Sequence, residues 1–276
     1  MKKRIMMMIA FLVVMSSIGI AQDDLAAFKE KASKFYHTLA RDDVKNFTCK
    51  ISSSIYINFI KQYADSTFYY PLKFIWTSAG NGYYALQPLP ELSDSLRRET
   101  LTRAQALKNL WSGIVYDMQK FIFRSPLAAL PENAVATFGK DTVGISFSFH
   151  DKARQITSKE TFTRGGQLAR VTWIYDAQKV INYPKYKELG DKWLCTGWDS
   201  QVYEAAQITS GIGVRVIYAT LDDKIVPEQF NIVAQAREKE NNIPITSSYT
   251  LFVKDFLFNE DIQFVSAPTD SGKANP

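Results

Sequence analysis

The chain has 276 residues, 46% of them hydrophobic and 13% aromatic, with a formal net charge of +5 and two histidines. Lys2, Lys3 and Arg4 lie at the very start, so the remainder is close to neutral, which argues against nucleic acid or an anionic membrane surface as partner and makes any membrane contact peripheral at most. The 18 Phe, 14 Tyr and 5 Trp supply apolar surface for one extended core.

Residues 1–21 read as a secretory signal. A cationic start is followed by the apolar run Ile5–Val14 and the small-residue stretch Ser16–Ala21, with Gly19 and Ala21 at the −3 and −1 positions of a cleavage site. The run is too short to span a bilayer, and no second run of about 18 apolar residues follows. The expectation is an exported protein, periplasmic or extracellular, cleaved after Ala21. No cysteine follows the apolar run, so a lipid-attachment site is not expected. Residues 22–265 contain no Gly/Ser-rich or Pro-rich linker and read as one domain, and 266–276 as a disordered tail.

In the mature chain, Leu25, Phe28, Ala32, Phe35, Tyr36 and Leu39 recur at helical spacing, with His37 on the polar face. Ile51–Ile60 and Thr67–Trp76 carry strand signals, and Gly80-Asn81-Gly82 marks a turn. The longest periodic segment runs from Leu101 to Ile122, with Thr102 and Gln105 at capping-box spacing and Pro126 and Pro131 as stops. From Ala134 onward period two dominates. Val143, Ile145, Phe147 and Phe149 share one face, as do Ala169, Val171, Trp173 and Tyr175. Further strands are predicted at Val180–Tyr186, Lys192–Trp198, Val214–Tyr218, Gln229–Gln235 and Ser248–Phe258, an antiparallel meander.

Catalytic signals are sparse. His37 and His150 are the two histidines, and His150-Asp151 at a strand end reads as a solvated turn without a GxSxG elbow. Asp23-Asp24, Asp42-Asp43 and Asp222-Asp223 fall where turns or helix starts belong. The expectation is no catalytic residue, no metal site and no cofactor. Cys49 and Cys195 allow one disulfide or two buried reduced thiols, and neither lies in a CxxC pair.

The order of elements suggests a family. An amphipathic helix, a few strands, a long helical insertion and a run of antiparallel strands follow one another. Tyr186-Lys-Glu-Leu-Gly-Asp-Lys-Trp193-Leu194 leads through Val214–Tyr218 to Asp222–Pro227. This layout resembles the outer-membrane lipoprotein carrier superfamily, the LolA-like and LolB-like proteins. The resemblance implies an α+β fold: a strongly curved antiparallel sheet, an incomplete β-barrel, with an N-terminal helix and a helical insertion covering the concave face. It further implies a non-enzymatic carrier of lipid or lipoprotein acyl chains in the bacterial envelope. On that reading Phe147, Phe149, Val171, Trp173, Tyr175, Val216 and Tyr218 line a hydrophobic cavity. Trp111, Ile114, Val115 and Met118 close over it, or else pack on the sheet permanently. The alternatives are an envelope protein-interaction or sensor domain on the same scaffold, and a hydrolase with an unrecognised site.

Overall fold

The period-two segments assemble into one sheet. The computed structural model describes residues 24–79, 82–128, 130–151, 154–237 and 243–261. The cleavage site, most of the Gly80–Gly82 turn and the tail lie outside the described residues. The strands are β1 (Asn46–Ser53), β2 (Leu72–Thr77), β3 (Gly82–Leu86), β4 (Val135–Phe138), β5 (Thr142–Asp151), β6 (Arg154–Thr163), β7 (Leu168–Tyr175), β8 (Gln178–Leu189), β9 (Lys192–Glu204), β10 (Gln207–Leu221), β11 (Lys224–Arg237) and β12 (Pro244–Phe258). Their order is β3-β2-β1-β12-β11-β10-β9-β8-β7-β6-β5-β4, antiparallel throughout. The sheet is open, with β3 and β4 as its two edges. The segment joining those edges carries the long helix, which crosses the concave face. This is the α+β curved-sheet architecture expected from the sequence.

Two-residue hairpins hold the meander in register. Asp222 and Asp223 both adopt positive φ, at 48° and 61°, which is the turn that matches strand twist. The Thr163–Gln167 hairpin forms as predicted, and a bulge at its base turns Leu168 inward instead of Ala169. Gly197 in β9 has φ of 149°, and a Cβ there would lie 2.0 Å from the Val214 carbonyl oxygen. Only glycine lets β9 approach β10 so closely.

Among the described residues three α-helices accompany the sheet: α1 (24–33), α2 (Ser54–Ile60) and α3 (Asp94–Met118). Leu25 and Ala32 of α1 are buried, and Phe28 packs edge-on against Phe138 and Phe162, at 6.1 and 5.8 Å. This helix is shorter than its apolar spacing predicts. Phe35–His37 instead runs extended beside β9, where Trp193 N–H donates to the Phe35 carbonyl (2.6 Å) and His37 N–H to the Trp193 carbonyl (2.9 Å). The Tyr36 hydroxyl donates to Gly166 O and accepts from Leu168 N–H, both at 2.7 Å. Those bonds, unavailable from within a helix, fix the extended path. His37 is therefore not solvated; it is mostly buried, 3.8 Å from Asp42, and burial lowers its basicity.

Two further expectations are corrected. Ile51–Ile60 is half strand, half helix, because the Ser53 side chain accepts from Tyr56 N–H (3.1 Å) and caps α2. The long helix starts at Asp94 and runs unbroken, with Thr102 bonded back to the Arg98 carbonyl (3.0 Å) rather than capping. It ends in a π-helical turn, Gln119–Phe123. Among the described residues no helix is long and apolar enough to cross a membrane.

Candidate ligand cleft

Strand register sets side chains on the concave face in rows. One row runs Phe147–Ser158–Trp173–Val180 across β5 to β8, and the next Ile145–Glu160–Val171–Asn182–Ser200–Ile212 across β5 to β10. Glu160, Asn182 and Ser200 are thus polar residues at inward phase, and all three are buried. The last turns of α3 pack over them. Asn182 Nδ2 donates to Asp117 Oδ1 at 2.8 Å, and Lys120 in the π turn pairs with Glu160. The buried Asn182 Oδ1 of this layer has no hydrogen-bond partner among the described residues, while the Trp198 and Ser158 side chains lie against the Asp117 and Glu160 carboxyls.

Burial dominates the electrostatics. It pushes the Asp117 carboxyl up to about 7, against the side chains of Trp198 and Asn182, which favour the ionised form. Burial also raises Glu160, and Lys120 opposes that rise. Asp117 therefore exchanges its proton near neutral pH, the property that marks a functional candidate when the group also faces a cleft.

It does face one. A cleft of about 690 Å³ opens between the sheet and the C-terminal half of α3. Its walls are Phe149, Ile156, Trp173, Tyr175 and Val180 from the strands and Gly113 and Tyr116 from the helix. Asp117, Asn182 and Ser200 form its polar floor, and His150 and Arg154 stand at the exposed mouth. Tyr116 and Trp173 meet edge-to-face, with ring centroids 5.3 Å apart. Both size and lining suit a small amphiphilic ligand.

The predicted site residues divide between this cleft and the core. Phe149, Trp173 and Tyr175 line the cleft, and Phe147 lies beside it under Lys120. Val171, Val216, Trp111, Ile114, Val115 and Met118 are buried in one shared core. Trp111 wedges between Phe74 and Phe230, at 5.7 and 5.6 Å. Tyr218 packs on the same core and donates to the Cys195 carbonyl at 2.5 Å. The middle of the concave face is therefore filled, and the space lies toward one end. Cys49 in β1 and Cys195 in β9 are free buried thiols separated by three strands, so the disulfide is not formed. Burial raises both, Cys195 to about 12.

Sequence reasoning missed Asp117, Lys120, Glu160, Asn182 and Ser200. The available signal was phase: Asp117 lies three residues after Ile114 on the apolar stripe, and Glu160 lies two before the buried Phe162. Among the described residues no three His, Cys, Asp or Glu side chains gather as metal ligands would. No protein-family model, curated protein or solved structure matches this chain.

Proposed function

We propose that this chain is a non-enzymatic carrier or binding protein for an apolar ligand, lipid or the acyl chains of a lipoprotein, in the bacterial envelope. The observation that supports this reading is the aromatic-walled cleft of about 690 Å³ at the open end of the concave face. An open curved sheet with one uncovered end is a scaffold suited to binding, and residues 1–21 are suited to export. Burying a methylene is worth about 0.8 kcal/mol, so about five methylenes offset an association cost of about 4 kcal/mol, and each further one tightens binding about fourfold.

Titration with an uncharged fluorescent fatty alcohol tests the reading, with Gly113→Leu as the blocking variant. Gly113 lines the cleft, an added Cβ meets nothing within 4 Å, and its helical phase matches that of Tyr116 and Asp117. Leucine favours helix over glycine by about 0.8 kcal/mol, so Gly113→Leu is expected to keep or raise the melting temperature while weakening binding at least tenfold. Gly113→Ala should bind nearly as wild type. Absence of saturable binding by the folded wild type refutes the proposal and favours the protein-interaction alternative.

A further inference from the structure

We infer that the ligand of this cleft carries a protonated amine, held by Asp117 and Asn182 with its apolar part against Tyr116, Trp173 and Tyr175. The inference rests on the apolar-ligand reading and specifies the polar group. Its first support is an imbalance of donors and acceptors on the floor. Asn182 is 1% exposed, lines the cleft, and its Oδ1 has no hydrogen-bond partner among the described residues. Its amide N–H is already given to Asp117 Oδ1. Lys120, the nearest cation along the helix, is engaged by Glu160. Beside the Ser200 hydroxyl, which can donate or accept, the floor offers a carboxylate and an amide oxygen, both acceptors, so the complementary ligand group is a donor.

Charge points the same way. Asp117 is 9% exposed and forms no ion pair among the described residues. A buried carboxylate without a cation is costly, and a ligand ammonium removes that cost in a medium where Coulomb attraction is strong. The walls add to this: Tyr116, Trp173, Tyr175 and Phe149 line the cleft with aromatic rings, which attract organic cations. A fatty carboxylate at the same floor meets Asp117 with like charge.

The groups packed about Asp117 do not supply the missing cation. Tyr116 and Lys120 come from its own helical segment, Asn182 from β8, and Trp198, Ser200 and the neutral Cys195 thiol from β9. His150 and Arg154 stand at the mouth. Arg154 is exposed, so its repulsion of a second cation is screened by water and salt.

The test is calorimetric titration of the folded chain with octylammonium, octanol and octanoate. At pH 8 octylammonium should bind at least tenfold more tightly than octanol, and octanoate most weakly. The ammonium preference should fall about tenfold by pH 5.5, where Asp117 is protonated in the free protein. Asp117→Asn, verified as folded by circular dichroism, should bring octylammonium at pH 8 to within threefold of octanol. Equal binding of all three probes, or an ammonium preference that survives Asp117→Asn, overturns the amine inference and leaves the apolar-ligand reading standing. Binding of none of them overturns both.

Discussion

Replacing Asp117 by Asn removes a charge while keeping the acceptor that Asn182 uses, so it isolates what burying this carboxylate costs. In the folded chain the carboxyl is pushed from 3.8 to about 7, chiefly by burial. At about 1.4 kcal/mol per pH unit, that difference is worth about 4 kcal/mol. The sign runs opposite to a salt-bridged acid. Between pH 4 and 7 the folded state retains a proton that the unfolded state has released, so stability falls as pH rises through that interval. Below pH 4 both states are protonated and the cost is absent; above pH 7 it is present in full. Wild type and Asp117→Asn should therefore be about equally stable at pH 4 and diverge to about 4 kcal/mol in favour of the variant by pH 8. Urea unfolding followed by tryptophan fluorescence, across this range and without ligand, measures the difference. The slope on denaturant should be unchanged. A variant less stable than wild type at pH 8, or a difference independent of pH, refutes the argument. Glu160 is raised in the same direction, but its contribution is common to both proteins and cancels in the comparison.

Two further substitutions probe the frame. Tyr36→Phe deletes the hydroxyl that accepts from Leu168 N–H and donates to Gly166 O, leaving a buried amide unpaired; it should cost about 2 kcal/mol in a denaturation experiment, and a loss below 0.5 kcal/mol contradicts the clasp. In the β9–β10 hairpin Ala205 and Ala206 hold φ of 46° and 68°, a conformation costing an L-residue about 1 kcal/mol. Asn-Gly at these positions should raise stability by about 1–2 kcal/mol, and an unchanged melting temperature refutes the strain.

The architecture was legible because most strands alternate cleanly over their buried stretches, and the insertion between two groups of strands is a single long apolar stripe. Strand length was not legible. The first four residues of β12, 244–247, are exposed, so no inward face imposes a pattern and the segment reads as loop until Ser248. The predicted first helix failed at Tyr36, whose apolar spacing fits a helix but whose hydroxyl is used by a hairpin some 130 residues away. At the site, aromatic walls and polar floor differed in visibility. Phe149, Trp173 and Tyr175 stand out as inward aromatic residues on alternating strands. Asp117, Asn182 and Glu160 look singly like surface residues and become a site only when register and helix placement bring them to one layer. The two buried thiols show the same limit: two cysteines in strand-like settings carry no information on how many strands separate them.

The packing of α3 decides how a ligand reaches the cleft. Leu107, Trp111, Ile114, Val115 and Met118 are each at most 7% exposed. Exposing such a side chain costs roughly 2 kcal/mol, so lifting the helix from the sheet costs about 10 kcal/mol, as much as the whole stability of a typical domain. The helix is thus a fixed part of the core and not a lid. On the proposed reading, access runs through the mouth between His150, Arg154 and the end of α3, where Gly113 leaves open space. A ligand entering there meets the aromatic walls first and the Asp117–Asn182 floor last. Blocking the mouth at Gly113 therefore bars the ligand without disturbing the core, whereas a charged residue at Met118 would damage the fold itself.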